Sequence, residues 1–329
     1  MKAWDIFYDN IVRNNFVKSK DRIVLAVSGG ADSICMMHLF WRLAKKINID
    51  ILIVNFNHQL RKESIKEANI VKNLTSKLGL CCILKTINVK EYAENKSVSI
   101  ETAGRNLRYS ILEKIARKHK YNKIATAHNA NDNAETVFMW LLRGSSSFAG
   151  IPQVRKIDKN LFLIRPLLCI KRKLIEEYLK IHKLSFCTDK SNFLDIYTRN
   201  KIRLSIIPAC EKINYMAMEH IFNLSRIQEM DNIYLNEISN KFSKKCVQMQ
   251  KNQILLDLRT FLRYNEAIRF RILKNILPQK RYNLHINLIM RKILLHDMSI
   301  YKLSTDWFFK IEKNKAYFIR KRCVTSEYK

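Results

Sequence analysis

Short runs of apolar and β-branched residues alternate with longer stretches of helical periodicity through the first half of the chain. The runs predict strands and the stretches predict helices. The predicted strands are Arg22–Ser28, Ile49–Phe56, Cys82–Ile87, Lys123–His128 and Leu161–Leu168. The predicted helices are Ala31–Lys46, Lys62–Leu78, Ile100–Lys120, Asp132–Arg143 and Lys171–Lys183. Such alternation indicates a Rossmann-like α/β fold, in which helices cover both faces of a parallel sheet.

The second half has a different pattern. It predicts a long polar-faced helix over Glu219–Lys245 and a short strand over Gln253–Leu258. Two helical stretches follow, over Arg259–Leu277 and His285–Leu295, and then a hairpin of Trp307–Ile311 with Ala316–Arg320. Pro208 follows a helical pattern and marks a predicted boundary. We therefore predict a catalytic α/β domain over residues 1–215. Residues 216–329 are predicted to form a helical linker and a smaller α+β domain.

The first strand is followed at once by Ser28-Gly29-Gly30-Ala31-Asp32-Ser33, where the first helix begins. Glycines in such a turn let a ligand approach the backbone, and helix N-terminal N–H groups favour a phosphate. Serine hydroxyls can donate to phosphate oxygens, and Asp32 can hold a bridging Mg²⁺. A plain strand-to-helix turn capped by Asp32 fits the same residues. The motif resembles the pyrophosphate (PP) loop of N-type ATP pyrophosphatases and matches neither the common P-loop nor the dinucleotide fingerprint.

Further polar residues fall at the carboxyl ends of predicted strands. Ser28, His58 and His128 are so placed, and ligands of parallel sheets bind at that edge. Asp132 and Glu135 follow three residues apart at a predicted helix start, so they share one face. A capping box is one interpretation of this pair. The other is a pair of acids that binds an ammonium group beside a magnesium–ATP site.

The charge balance points to a polyanionic partner. The net charge is +31, and residues 210–329 alone contain 23 Lys and Arg against 11 Asp and Glu. This favours nucleic acid over a membrane surface, although a compositional bias can also produce it. No stretch approaches the roughly 20 apolar residues that span a bilayer, and the N-terminus does not resemble a signal peptide. The eight cysteines form no C-x-x-C pair, and we expect most to be buried thiols in a cytoplasmic protein.

An ordered series of motifs resembles the tRNA(Ile)-lysidine synthetases (also called synthases) over most of the chain. The series comprises Ser28–Ser33, Asn57–Arg61, Glu101–Tyr109, His128–Thr136, Leu142–Ser145 with Gly150–Pro152, Arg165–Leu167, Asp189–Asn192 and Tyr197–Arg203. The resemblance implies adenylation of C2 of the wobble cytidine in an isoleucine tRNA with a CAU anticodon. Free L-lysine then displaces AMP and gives lysidine. Longer members carry a further C-terminal domain, which we expect to be absent here.

The resemblance also implies site residues. The catalytic residues would be Asp32, Asp132, Glu135, Arg108 and Arg199. The nucleotide would contact Ser28, Gly29, Gly30, Ala31, Asp32, Ser33, His58, Arg105 and His128. Magnesium would be bound by Asp32 and Asp132. Four arginines are candidates for stabilising the negative charge of phosphate: Arg105, Arg108, Arg199 and Arg203. Each also fits a solvated helix face or a tRNA backbone contact. We expect ATP and Mg²⁺ as cofactors, no membrane partner and a homodimer.

The chain departs from the family pattern at Asn129, Asn131 and Asn133, where a second His, a first Asp and a Gln are common, and at Gly104, where Ala is more usual. Two other functions remain open. A tRNA cytidine 2-thiolase of the same superfamily usually needs C-x-x-C cysteines, which this chain lacks. A basic RNA-binding protein with a vestigial nucleotide fold would show no tRNA-dependent ATP–pyrophosphate exchange.

Overall fold

The structure is a computed structural model that describes residues 2–57, 64–145, 147–187, 198–277 and 282–320. The chain divides into two compact units. The first consists of Met1–Arg143 and Phe148–Arg226, and the second of Gly144–Ser147 and Ile227–Lys329. Within the described ranges, no helix combines the length and apolar character needed to cross a membrane.

A mostly parallel six-stranded sheet forms the centre of the first unit. Its strands are β1 (Arg22–Ala26), β2 (Asp50–Asn57), β3 (Cys81–Thr86), β4 (Lys123–Ala125), β5 (Val154–Lys156) and β6 (Phe162–Ile164). The strand order is β3-β2-β1-β4-β6-β5, and only β5 runs antiparallel to its neighbour. The predicted Rossmann-like α/β fold is confirmed, with β1 at the centre because its apolar run is buried on both sides.

Helices cover both faces of this sheet. They are α1 (Ala3–Arg13), α2 (Ala31–Ala44), α3 (Ser64–Leu78), α4 (Val89–Lys96), α5 (Ile100–Lys118), α6 (Ala130–Leu142) and α7 (Arg172–Ile181). Ile23 and Leu25 of β1 belong to one core cluster with residues of α1, α2 and α7. Val24, which points to the opposite face, belongs to a second cluster with residues of α4 and α5.

The first unit continues as a helical run through Pro208. This run consists of α8 (Thr198–Lys201), a π-helical segment (Ile202–Ile206) and α9 (Ile207–Ile213). Pro208 lies at the start of α9, where its missing N–H is tolerated. The long helix α10 (Ala217–Cys246) follows, and the two units divide within it, between Arg226 and Ile227.

The second unit contains a separate antiparallel sheet of five strands. They are β7 (Val247–Gln250), β8 (Gln253–Asp257), β9 (Tyr301–Lys302), β10 (Trp307–Glu312) and β11 (Lys315–Arg320), in the order β7-β8-β11-β10-β9. Its other helices are α11 (Leu258–Leu262), α12 (Glu266–Ile276) and α13 (Tyr282–Leu294). Phe261, Phe309 and Phe318 are fully buried in one core with residues of these helices. The predicted α+β character and the β10–β11 hairpin are confirmed.

Two sequence expectations fail in detail. The predicted helix Arg259–Leu277 is two helices, because Asn265 starts a new one by capping the N–H of Ala267. The expectation that most cysteines are buried is also wrong. Of the seven described cysteines, only Cys35 and Cys246 are buried, whereas Cys81 and Cys82 are exposed on the edge strand β3. Cys323 lies outside the described residues.

Candidate active site

The loop between β1 and α2 carries the Ser-Gly-Gly-x-Asp-Ser motif and depends strictly on one of its two glycines. Gly29 has a φ of 92°, a left-handed conformation that side chains with a Cβ rarely adopt. Gly30 is the N-cap of α2 and has an ordinary extended backbone. A Cβ built there would meet the Ser28 hydroxyl at an ordinary contact distance of 3.5 Å. Gly29 therefore shapes the turn, and Gly30 keeps its surface open to a ligand.

The two serines of this loop have different surroundings. The Ser33 hydroxyl donates to the Gly30 carbonyl at 2.8 Å and accepts from the Ser28 N–H at 3.2 Å. Ser33 is buried, so its hydroxyl braces the loop. Ser28 is exposed, and its hydroxyl is accessible to a phosphate. Ala31 is buried as the first residue of α2 and can offer a ligand only its backbone.

Asp32 lies in the first turn of α2 and is held from two sides. Its Oδ1 accepts from Asn129 Nδ2 at 3.0 Å, and its Oδ2 accepts from Arg172 Nη1 at 2.6 Å. Burial raises the pKa of Asp32 to about 6 despite the opposing charge of Arg172, and the negative charge of Asp132 adds to this rise. The carboxylate is thus under-compensated, which suits it to bind a further cation.

The helix that carries the second motif starts two residues earlier than the sequence predicts. Asn129 is the N-cap of α6, and it forms a capping box in which Asp132 occupies the third helical position. The Asn129 side chain accepts from the Asp132 N–H, and Asp132 Oδ2 accepts from the Asn129 N–H, both at 3.0 Å. The predicted capping box therefore exists, but with Asn129 and Asp132 as its members in place of Asp132 and Glu135.

Asp132 and Glu135 share one helix face, as predicted, and that face meets two arginines. Glu135 is fully buried; its Oε2 accepts from Arg199 Nε and its Oε1 from Arg203 Nε, both at 2.6 Å. Asp132 Oδ1 is farther away, at 3.5 Å from Arg199 Nη2 and 3.8 Å from Arg203 Nη2. Two guanidiniums therefore engage the Glu135 carboxylate, whereas one oxygen of Asp132 is held only loosely.

Helix α8 and the π-helical segment carry the two arginines that contact Glu135. Arg203 lies within Ile202–Ile206, and Arg199 lies one turn earlier in α8. Single π-helical turns are rare and recur at functional sites. Ile202 and Ile207 are buried in a small core with Ala134 of α6, which fixes the segment against the helix that carries Glu135.

His128 lies after β4, next to the α6 cap, in a strongly positive environment. Burial lowers its pKa to about 3, and the charges of Arg165, Arg105, Arg199 and Arg108 lower it further in that order. His128 is therefore neutral near pH 7. Its Nδ1 lies 3.1 Å from the Thr126 hydroxyl, a contact that orients the ring.

The arginines around His128 come from different elements. Arg105 lies 5.3 Å from the Tyr109 ring centroid and Arg155 lies 5.1 Å from it. Arg108 is exposed on α5, where its Nε donates to the Gly104 carbonyl at 3.3 Å. Arg165 is only 2% exposed, and its buried Nε has no hydrogen-bond partner within the described part of the chain. Such a concentration of positive charge suits a polyanion.

The structure brings together most of the predicted site residues and adds three. Asn129 and Arg172 contact Asp32 directly, and Arg165 contributes a buried charge near His128. A largely buried acid such as Asp32 requires a positively charged partner, but the amino-acid sequence does not indicate which of the 60 Lys and Arg residues supplies it. The predicted nucleotide contact at His58 lies outside the described residues, as do the motif residues Asp189–Asn192 and Tyr197.

The unusual asparagines each have a defined structural role. Asn131 Oδ1 accepts from the Arg172 N–H at 3.0 Å and so fixes the start of α7. Asn133 Nδ2 donates to Ser225 Oγ at 2.9 Å, while its Oδ1 accepts from the Ile151 N–H at 2.8 Å. Asn129 and Asn133 each donate and accept, which a neutral amide can do and an acid cannot, whereas Asn131 only accepts.

The donor set of this site suits magnesium rather than a transition metal. Within the described residues, no group of three or more His, Cys, Asp and Glu side chains could hold a metal. Asp32 and Asp132 nevertheless provide a pair of carboxylates close enough that one raises the pKa of the other. Mg²⁺ is commonly bound by one or two carboxylates together with substrate phosphates. The residues present therefore fit a magnesium ion that arrives with a nucleotide.

Comparison with known proteins places this chemistry in a family. The PP-loop domain family (ATP_bind_3) matches residues 5–210. A protein of Petrotoga mobilis named tRNA(Ile)-lysidine synthase is 33% identical over 254 residues, which are 77% of this chain and 79% of that protein. The chain belongs to the tRNA(Ile)-lysidine synthase family. The family predicted from the sequence motifs is thereby confirmed.

Longer members of the family also match. The tRNA(Ile)-lysidine synthase of Clostridioides difficile (strain 630) is 38% identical over 277 residues, or 83% of this chain and 59% of that protein. That of Clostridium acetobutylicum is 37% identical over 291 residues, or 86% and 62%. The chain thus spans about three-fifths of the length of these two relatives.

A solved structure supports the fold alone. The U34-tRNA thiolase NcsA from Methanococcus maripaludis, described with its [4Fe-4S] cluster, superposes with a TM-score of 0.60 at 18% identity. The match covers 69% of this chain and 78% of that one.

Proposed function

We propose that this protein ligates lysine to C2 of the wobble cytidine of an isoleucine tRNA with a CAU anticodon and consumes ATP to do so. The products would be lysidine in the tRNA, AMP and pyrophosphate. The observation that carries the proposal is the Asn129–Asp32 hydrogen bond. It joins the start of α6, with its carboxylates and arginines, to the loop that begins α2. Family membership supports the substrate class.

The first step is adenylation of the cytosine. The cytosine O2 attacks the α-phosphorus of ATP, the bond from that phosphorus to the bridging oxygen breaks, and pyrophosphate leaves. The loop would bind the departing pyrophosphate through the Ser28 hydroxyl and the α2 N-terminus. The arginines around His128 and the pair Arg199 and Arg203 would stabilise the charge that develops on phosphate oxygens.

Magnesium, when bound, would screen the phosphate charge and hold the triphosphate in position. Asp32 is the carboxylate that would bind it, with Asp132 as the second. Because Asp32 keeps a hydrogen bond from Asn129, its carboxylate is oriented before a nucleotide arrives. His128, neutral at working pH, can contribute a hydrogen bond without adding charge.

The second step is attack by a lysine amine on C2. The new C–N bond forms, the C2–O bond breaks, and its oxygen leaves with AMP. We propose that Asp132, no longer occupied by magnesium once pyrophosphate has left, binds the ammonium and receives its proton, because Asp132 Oδ1 is held only loosely at 3.5 Å and 3.8 Å by two arginines. Glu135, buried between the same arginines, would orient them and so shape the lysine site.

The tRNA would be bound through the positive charge of both parts of the chain. The net charge of +31 exceeds what solubility requires, and residues 210–329 carry an excess of Lys and Arg. The assignment of ATP binding to residues 1–215 and of tRNA contacts to residues 216–329 is part of this proposal. A homodimer and a cytoplasmic location also stay predictions.

A nucleoside digest tests the proposal. The tRNA transcript with a CAU anticodon is incubated with the full chain, ATP, Mg²⁺ and labelled lysine, digested to nucleosides and separated by chromatography. We expect the label in one modified cytidine, and none when Asp32→Ala replaces the wild type. tRNA binding by Asp32→Ala should stay within a few-fold, because Asp32 is proposed to face pyrophosphate. Tight tRNA binding without lysine transfer by the wild type would instead favour a non-catalytic RNA-binding protein.

A further inference from the structure

Arg172 lies in an unexpected position for a site that is to bind a cation. Its Nη1 is 2.6 Å from Asp32 Oδ2, the oxygen of the predicted magnesium ligand that Asn129 does not occupy. Mg²⁺ binds carboxylate oxygens at about 2.0–2.1 Å. A guanidinium and a dication repel each other, so the two compete for this oxygen.

The surroundings of Arg172 allow it to move while its backbone stays fixed. Its N–H donates to Asn131 Oδ1 at 3.0 Å, and this bond fixes the first turn of α7. The side chain is 39% exposed, whereas that of Asp32 is 22% exposed. Glu176, one turn later, accepts from Arg172 Nε at 2.8 Å. The guanidinium is therefore tethered next to the loop but not enclosed there.

The packing of α7 against α2 places the two residues next to each other. Two turns beyond Arg172, Tyr178 Oη lies 2.7 Å from Nδ1 of the buried His38 on α2. Near the start of α7, Ile170 accepts from the Ala130 N–H at 3.0 Å. A partly exposed guanidinium on a backbone that is held by hydrogen bonds is suited to exchange one anionic partner for another.

We propose that Arg172 is a counter-ion that exchanges partners: it competes with magnesium for Asp32, and when the cation binds, the guanidinium pairs with phosphate oxygens of the nucleotide. This proposal rests on the ATP-binding role proposed for the loop. The fork of the guanidinium matches phosphate geometry, so the same residue can serve both states. Arg172 would then prevent a bare cation from occupying the loop and favour one that arrives with the nucleotide.

Two binding measurements on the full chain test this exchange, and neither requires tRNA or lysine. The first is Mn²⁺ binding without nucleotide, followed by the EPR signal of the free ion. The second is calorimetric binding of inorganic pyrophosphate in the presence of Mg²⁺. The variants are Arg172→Gln and the matched control Lys173→Gln, which removes an equal charge from the exposed neighbouring residue. Asp32→Asn identifies the Mn²⁺ site, because it should weaken that binding.

The exchange predicts opposite changes for one substitution. Arg172→Gln should bind Mn²⁺ several-fold more tightly, since its competitor is gone, and should bind pyrophosphate about tenfold more weakly. Lys173→Gln should alter neither. Arg172→Lys should give smaller changes in the same directions, and it carries the test if the glutamine variant does not fold. Loss of both affinities together, or an unchanged Mn²⁺ affinity, would overturn the proposal and leave Arg172 as a support of the loop.

The outcome is separable from the proposed function. A wild type that binds Mn²⁺ and pyrophosphate in the predicted way but forms no lysidine would refute the proposed function and keep the exchange. A wild type that forms lysidine while Arg172→Gln shifts neither affinity would refute the exchange alone.

Discussion

Asp32→Asn should make the protein more stable at neutral pH, although it removes the residue on which the site is centred. Burial raises the pKa of Asp32 from 3.8 to about 6. The folded state therefore binds this proton more tightly than the unfolded state does. For an acid shifted in this direction, stability is lost as pH rises from 3.8 to about 6 and stays lost above that value. An asparagine carries no such charge and avoids the loss.

The size of the effect follows from the pKa difference. One pKa unit corresponds to about 1.4 kcal/mol, so the shift amounts to roughly 3 kcal/mol above pH 7 and to about half of that at pH 5. The Asp32 side chain is only 22% exposed, so solvent screens it weakly. Both oxygens of Asp32 accept hydrogen bonds, so the side-chain NH₂ of the new Asn must face a donor from Asn129 or Arg172. This mismatch costs about 1 kcal/mol at every pH. The net gain should therefore be about 2 kcal/mol at pH 8 and about 0.5 kcal/mol at pH 5.

Urea unfolding of both proteins in EDTA at pH 5 and pH 8 measures this difference. Tryptophan fluorescence reports mainly on the first unit, which holds Trp4, Trp41 and Trp140 of the four tryptophans. Asp9→Asn, at an exposed carboxylate, serves as control and should change the unfolding free energy by less than about 0.5 kcal/mol. An Asp32→Asn variant that is destabilised equally at both pH values would refute the reasoning, because Asp32 would then be a well-compensated ion pair.

Three further predictions follow from the same contacts. Asp132→Asn should raise the apparent KM for lysine far more than the KM for ATP. Glu135→Gln should chiefly destabilise the fold, by roughly 3 kcal/mol, because it leaves two arginines around a neutral amide. If both variants raised the KM for lysine equally and left stability unchanged, this division of roles would be contradicted. Gly29→Ala should lower the unfolding free energy by about 1–2 kcal/mol, because alanine is strained at a φ of 92°. Gly30→Ala should fold normally and weaken ATP binding. Thermal melts and nucleotide titration separate the two effects, and equal melting temperatures would disprove the claim. tRNA affinity should fall by roughly 0.7–0.9 log units per log unit of salt for each phosphate contact. Removing residues from Ile227 onward, where the second unit resumes, should reduce that slope, and an unchanged slope would mean that this part makes no contact with tRNA.

The sequence predicts what local pattern determines and misses what distant partners decide. The apolar run of β1 and the long amphipathic stretches predict the sheet and α2, α5 and α7 to within a few residues. The short strands β5, β7 and β9 have two to four residues, too few to show a period, and they are found only in the structure. A local rule also misplaced the start of α6, since Asn129 caps it as readily as an acid does.

The candidate site divides in the same way. The glycine turn and the pair Asp132 and Glu135 were recognisable because their spacing is local. The contact of Arg172 with Asp32 joins residues 140 positions apart and depends on how α7 packs on α2. The contacts of Glu135 with Arg199 and Arg203 depend likewise on α8 and on the π-helical segment, which no periodicity of the sequence predicts.

The central claim is that ATP activates the cytosine itself before lysine attacks. The most direct test uses a tRNA with a CAU anticodon that carries ¹⁸O at C2 of the wobble cytidine, incubated with the full chain, ATP, Mg²⁺ and lysine. Mass spectrometry then locates the label. In the proposed mechanism the C2 oxygen attacks phosphorus and leaves with it, so we predict one ¹⁸O in the phosphate of AMP and none in the modified cytidine. AMP without ¹⁸O, or formed equally without tRNA, would contradict the account.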